Sequence, residues 1–206
     1  MKSCRLLIDY PIYERTLVSN SVSGEPTIVN VLNGAIISAP PCALCVSQDS
    51  IINIYGGSVG TCFTADNGQI TMSGGTVVNA FGAAGNGQVI MSGGTAGWLQ
   101  TWGNGHLTFS GGVINSTLAA FDSSSITIIG SNFAVDGSPV DYGKYIASDF
   151  VGGEGVLTGI LNNGALLNNS FYISTGASIT LVPEPTTILL FGFGLTMAAR
   201  KQRTVI

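Results

Sequence analysis

Charge is scarce in this sequence. Lys and Arg together number 7, Asp and Glu 11, so 9% of residues are charged and the formal net charge is −4. The few basic residues form no stripe, which argues against nucleic acid as a partner. Histidine occurs once, at His106, and cysteine only at Cys4, Cys42, Cys45 and Cys62. No window carries a helical 3.6-residue period, and Lys, Glu and Leu are too few for a helical protein. The first twenty residues hold no apolar run longer than Leu6–Ile8, broken by Asp9 and Pro11, whereas a secretory signal needs roughly 7–15. That leaves a start upstream, a shortened copy, or a protein that stays inside the cell as the open readings.

What is abundant is Gly, Asn, Ser and Thr, against a background that is 45% hydrophobic and therefore too apolar for disorder. This composition suits an exported surface protein. The glycines are placed regularly. Ile54-Tyr-Gly-Gly, Met72-Ser-Gly-Gly, Met91-Ser-Gly-Gly and Phe109-Ser-Gly-Gly repeat one phrase, and Ile128-Ile-Gly-Ser is a degenerate fifth copy. The second turn position falls at Gly57, Gly75, Gly94, Gly112 and Ser131, giving steps of 18, 19, 18 and 19 residues. A period near 20 is the mark of a solenoid, whose coils bury their apolar faces only against one another.

The columns of the repeat define the coil. Ile52, Ile70, Val89, Leu107 and Ile126 form one apolar column, and Ile54, Met72, Met91, Phe109 and Ile128 form the next but one. Between them stand Asn53, Thr71, Ile90, Thr108 and Thr127. Alternation with period two is a half-buried strand, and the Gly pair is its turn. Further inward columns are Val59, Val77, Ala96 and Ile114, then Cys62, Phe81, Leu99 and Leu118. The expectation is an all-β fold: a single-stranded parallel β-helix with two or three short strands per coil, stacked at roughly 4.8 Å.

Residues 1–26 read as an irregular N-terminal segment and 27–132 as the β-helix. Its first coil is expanded by Ala39-Pro-Pro-Cys-Ala-Leu-Cys45, because two prolines do not fit a central strand. Residues 133–181 read as a small antiparallel β cap, on the strength of Asn163-Gly164 between apolar runs. Residues 182–206 form a separate tail.

Candidate chemistry is thin. Cys42-x-x-Cys45 invites a metal or redox reading, but a structural zinc site needs four ligands and the only other candidates are Cys4, Cys62 and His106. A loop disulfide or plain small residues are the simpler readings. The Thr71/Thr108/Thr127 column is a partial hydroxyl ladder of the kind that binds ice, interrupted by Ile90, and Thr is in any case a favoured exposed strand residue. Trp98, Trp102 and Phe121 are expected on one outer face, with Phe121 one 19-residue step beyond Trp102. Exposed aromatics on a rigid polar sheet suit stacking against sugar rings; the alternative is that the C-terminal unit or a neighbouring chain covers them. The acids Asp49, Asp66 and Asp122 are scattered, with Asp66 and Asp122 three coils apart, so no acid/base pair is expected and the protein is read as no enzyme. No catalytic residue, metal or cofactor is expected.

The tail carries the most specific signal. Pro183-Glu184-Pro185 precedes an apolar run of Thr187, Ile188, Leu189, Leu190, Phe191, Gly192, Phe193, Gly194, Leu195, Thr196, Met197, Ala198 and Ala199, followed by the basic stop Arg200, Lys201 and Arg203. In order and content these parts resemble the PEP-CTERM sorting signal of Gram-negative and related environmental bacteria, which also goes under the label of an ice-binding protein C-terminal domain. The stacked Gly-Gly repeats and the Leu-Thr-Gly-Ile-Leu-x-Asn-Gly hairpin look like exported PEP-CTERM proteins as well. The resemblance implies export and a transient C-terminal membrane helix. It further implies cutting near Pro183–Pro185 by a membrane-embedded exosortase, in a setting of cell envelope, exopolysaccharide and biofilm. A 13-residue helix spans about 20 Å against a hydrocarbon core of about 30 Å, which fits a transient anchor better than a permanent one. The basic cluster fits a cytoplasmic end. The 18–19-residue coils resemble the right-handed β-helices of large bacterial adhesins. The reading is therefore an exported, non-catalytic structural or adhesive protein with glycan contact at Trp98 and Trp102. The alternatives are a carbohydrate-active β-helix enzyme and an ice-binding protein.

Overall fold

A strand that alternates apolar and polar residues has one side to bury, and a chain that repeats such strands every 18–19 residues can bury that side only inside its own coil. In the computed structural model, which describes residues 5–19 and 25–184, it does so. About six turns of parallel β-solenoid enclose one apolar core. The first coil holds β1 (Arg5–Ile8), β2 (Pro11–Ile12) and β3 (Thr16–Val18), and the second β4 (Ile28–Val31), β5 (Ile36–Ile37) and β6 (Leu44–Val46). The third holds β7 (Ile51–Ile54), β8 (Ser58–Val59) and β9 (Cys62–Thr64). In the fourth, β10 (Gln69–Met72) is followed by β11 (Thr76–Ala83), and in the fifth β12 (Gln88–Met91) by β13 (Thr95–Thr101). The sixth holds β14 (His106–Phe109), β15 (Val113–Ile114) and β16 (Thr117–Ala120).

Each coil therefore has three sides, and each side is a parallel ladder. The first runs β1, β4, β7, β10, β12, β14 with no slip of register, so that Ile52, Ile70, Val89, Leu107 and Ile126 lie directly above one another. The second side joins β2, β5, β8, the start of β11, the start of β13 and β15. The third joins β3, β6, β9, the end of β11, the end of β13 and β16. In β11 and β13 the second and third sides are one strand, bent by a bulge between Val77 and Ala80. All the inward columns read from the sequence are buried.

Two corners are fixed by backbone conformation. At the first, Gly34, Gly57, Gly75, Gly94 and Gly112 all have positive φ. At Gly75 (φ +78) a Cβ would also come within 2.6 Å of the Gly56 carbonyl oxygen one coil below. Glycine is needed there for both conformation and space. The other corner, between the third side and the next coil, is a left-handed position occupied in turn by Gln48, Asp66, Gly85, Gly103 and Asp122. It is followed by Asn67, Asn86 and Asn104 in the middle coils, where the Asn104 amide donates to Asn86 Oδ1 at 3.1 Å.

At Ser131 the corner glycine is missing, and β17 (Ser125–Val135) runs on past that point as one strand, with Asn132 at positive φ and an irregularity between Ser131 and Ala134. It leads into β18 (Ser138–Pro139), β19 (Gly143–Tyr145), two short 3-10 turns, β20 (Glu154–Leu161), β21 (Leu166–Ile173) and β22 (Ser178–Pro183). β20 pairs antiparallel with β21, as the Asn163-Gly164 hairpin requires, and also with β17.

Two divisions expected from the sequence differ in the structure. The segment 1–26 is not irregular throughout, since Arg5–Val18 forms the first coil. Among the described residues β1 has a partner strand on one edge only, β4; Leu6 and Leu7 are exposed and only Ile8 of β1 is buried, so the alternation that marks the other coils is blurred. Nor is 133–181 an independent unit. β21 stacks parallel on β16 and β22 parallel on β17, so cap and solenoid share one core. The helix expected at Thr187–Ala199 lies outside the described residues, among which no helix is long and apolar enough to cross a membrane.

The Gly75 corner gives a direct test. Gly75→Ala combines a left-handed residue with a backbone clash and is expected to cost more than about 2 kcal/mol. Gly137→Ala, also at positive φ but with nothing within 4 Å of the added Cβ, should cost about 1 kcal/mol. Urea unfolding of the two variants should show this order.

Candidate functional site

The third side of the solenoid presents the candidate surface. Two outward columns run up it. Ala80 and Trp98 are paired, with Thr117 and Ser170 paired further up, and Gly82, Gln100, Ala119 and Tyr172 run alongside above Phe63. None of these residues is charged. The face is held by backbone hydrogen bonds from each strand to the coils above and below, and charge comes only at its ends, where Arg15 reaches Cys45 below Phe63 and Glu154 pairs with Tyr172, among the described residues.

The three aromatics expected together separate into two roles. Trp102 and Phe121 stack one coil apart, with ring centroids 5.5 Å apart and planes inclined by 8°. The series continues to Phe63 below, edge-on to Trp102 at 5.2 Å, and to Tyr172 above, 5.6 Å from Phe121. Two parallel rings at 5.5 Å overlap partly and cannot lie side by side in one plane, so Trp102 and Phe121 turn their faces toward each other. This ladder fastens the cap strand β21 to the coils. Gly82 belongs to it although nothing in the sequence singles it out: a Cβ there would stand 2.8 Å from Phe63 Cε1. Trp98, by contrast, is 47% exposed and has no ring partner among the described residues. It is flanked by the small residues Ala80 and Thr117, so its indole stands clear of the sheet.

The other candidates resolve as parts of the fold. Asp66 and Asp122 occupy the left-handed corner, where Asp122 Oδ2 accepts the Gly103 N–H at 2.9 Å. His106 lies in a column with Gln69, Gln88 and Ser125, its Nδ1 2.6 Å from Ser125 Oγ. The outward column on the first side reads Asn30, Asn53, Thr71, Ile90, Thr108, Thr127, Thr180, with Asn53 donating to Asn30 Oδ1 at 2.9 Å. Threonine occupies the upper part, and the exposed Ile90 interrupts it. Among the described residues no group of three His, Cys, Asp or Glu is placed to hold a metal ion.

Cys42 and Cys45 are joined as a disulfide in the proline loop. Cys62 is a free thiol in the core, between Leu44 and Phe81, and burial pushes its pKa far above the ordinary thiol range. Cys4 lies outside the described residues.

Pro183 ends β22 and Glu184 follows it, while Pro185, the apolar run Thr187–Ala199 and the basic residues Arg200, Lys201 and Arg203 lie outside the described residues. Residues 181–203 match the family model of the PEP-CTERM protein-sorting motif. The tail is thus a sorting signal, and it implies an exported protein, directed to the cell envelope and processed by exosortase. No curated protein and no solved structure matches the chain.

Two measurements follow. Trp102→Ala should cost about 2 kcal/mol of stability by opening the ring ladder, whereas Trp98→Ala should cost less than about 0.5 kcal/mol; thermal unfolding separates them. For Cys62 the folded thiol keeps its proton where the unfolded one, with a pKa near 8.5, releases it. Stability should therefore fall as pH rises above about 8.5, by up to about 1.4 kcal/mol per pH unit. Denaturant unfolding between pH 7.5 and 9.5 should show this fall in the native chain and lose it in Cys62→Val.

Proposed function

We propose that this chain is an exported, non-catalytic structural or adhesive protein of the cell surface, whose third solenoid side contacts neutral polysaccharide through Trp98. The observation that carries the reading is the exposed Trp98 indole on a rigid sheet whose outward columns are uncharged from Phe63 up to Tyr172, with Glu154 the first charge beyond. Carbohydrate recognition combines apolar contact with the C–H faces of the sugar and hydrogen bonds to its hydroxyls. Trp98 supplies the first, and Gln100, Thr117 and Ser116 supply the second. An acidic polymer would find no Lys or Arg on these columns to neutralise it, so the ligand class is a neutral glycan.

The same observation argues against catalysis on this side. Glycoside cleavage needs two carboxyl groups facing one bond, and beside these columns stands Glu154, paired with Tyr172, without a second carboxylate in the columns. Asp66 and Asp122 hold corner conformations instead of lining a groove.

The test is retention of the purified protein in affinity electrophoresis through gels containing neutral or acidic polysaccharide. Retardation by a neutral polymer, weakened about tenfold in apparent affinity by Trp98→Ala and little by Ile90→Ala, is the expected result. That loss corresponds to about 1.4 kcal/mol. Equal retardation of native protein and Trp98→Ala would remove the indole from the site, and retention by acidic polymers alone would overturn the assignment of ligand class.

A further inference from the structure

The corner between the second and third sides is built differently from coil to coil. In the fourth and fifth coils β11 and β13 bend through it as one strand. In the third coil only Gly60 and Thr61 separate β8 from β9, whereas in the second the longer run 38–43 separates β5 from β6. That loop carries Pro40 and Pro41 and is pinned at both ends. The Ser38 N–H donates to the Ile12 carbonyl at 3.0 Å, and the N–H groups of Ala43 and Leu44 both donate to the Thr61 carbonyl, each at 3.0 Å. The Cys42–Cys45 disulfide closes the returning end. Gly60 lets the loop lie close, since a Cβ there would stand 3.3 Å from Ala43 Cβ.

Between this loop and the bulge of β11 lies a cleft of about 220 Å³, lined by residues 38–41 and by Gly60, Thr61 and Asn79. None of these residues is charged. Ala39, Pro40 and Pro41 offer methyl and ring C–H surface. The hydroxyls of Ser38 and Thr61 and the side-chain amide of Asn79 have no hydrogen-bond partner among the described residues. Asn79 is held in place by its backbone, whose N–H donates to the Gly60 carbonyl at 2.8 Å.

The cleft is in line with Trp98. Phe81 pairs with Cys62, so Ala80 and Thr61 stand at matching positions, and Ala80 pairs in turn with Trp98. Thr61 is therefore two coils below the indole in the same column, roughly 10 Å at the spacing of paired strands. Gly97, stacked over the Val78 and Asn79 carbonyls, puts no side chain into the corner between them.

We propose that the cleft is a second subsite of the Trp98 surface, holding one uncharged sugar ring of a chain that passes over Ala80 to the indole. This rests on the reading that Trp98 contacts neutral polysaccharide. The volume suits a single ring and falls short of the roughly 300–1,000 Å³ of pockets that enclose drug-sized ligands. A sugar ring presents C–H surface on its faces and hydroxyls around its rim. The cleft meets the first with Pro40, Pro41 and Ala39, and the second with Ser38, Thr61 and Asn79. The two subsites together give the polymer a direction: it runs across the coils, along the solenoid axis.

The test uses affinity electrophoresis of the full chain through gels containing dextran, hydroxyethyl cellulose or galactomannan. With a polymer that retards the native chain, Asn79→Ala and Thr61→Val should each weaken apparent affinity about twofold to tenfold, the worth of one lost hydrogen bond. Asn79 is exposed, so the thermal midpoint of Asn79→Ala should stay at the native value, which separates lost contact from lost folding. Weakening by Trp98→Ala with both cleft variants retarded like the native chain would overturn the subsite and leave the Trp98 reading standing. Weakening by the cleft variants but not by Trp98→Ala would remove the indole from the site and overturn the shared chain. If none of the three polymers retards the native chain, the Trp98 reading and the subsite fall together.

Discussion

Everything in this structure depends on register. Because coils stack without slip along the first side, each residue meets its own counterpart one coil up and one coil down, at the ~4.8 Å spacing of paired strands. One choice in the repeat is therefore made several times over. An apolar residue in an inward column becomes a continuous core, a glycine at a corner becomes a column of positive φ, and an aromatic on the outside can become a ladder. The same constraint explains the end of the solenoid. Where the corner glycine gives way to Ser131, β17 continues past the corner position, and its end, with Phe133 and Val135 in the common core, starts the cap.

Much of this was legible in the sequence because period-two alternation and Gly-Gly spacing report directly on inward columns and corners. Ile52 through Ile126 and Cys62 through Leu118 were readable from spacing alone, and they are core. What was not legible lacked an internal copy to compare with. The first coil carries only Ile8 as a buried residue of its first strand, which pairs with β4 on one edge among the described residues. The parallel stacking of β21 and β22 involves residues some fifty positions from their partners, as in Thr117 with Ser170, and no repeat announces it. The left-handed corner was hidden by its variable occupant, since Gln48, Asp66, Gly85, Gly103 and Asp122 share a conformation but not a side chain.

On the outer face, the 19-residue step placed Phe121 over Trp102, and the ring geometry then changes what that placement means. Rings stacked on each other hold the fold together, while Trp98, on β13 four residues before Trp102, is 47% exposed and stacks on no other ring among the described residues. Counting along the strand puts both tryptophans outside but is blind to how their planes tilt, which depends on neighbours in other coils, as Phe121 shows for Trp102. The acids show the converse case: Asp66 and Asp122 share a column, and the corner they occupy gives both a structural role.

A β-solenoid with a C-terminal sorting motif forms a coherent whole: a body of stacked coils, directed to the envelope by its tail. The account stands or falls on delivery. The most direct measurement is fractionation of the chain, expressed from its native upstream DNA, in isogenic hosts with and without exosortase. The account predicts protein outside the cytoplasm, in envelope or medium, with its final distribution altered when exosortase is absent. A chain that remains in the cytoplasm, equally in both hosts, would contradict it.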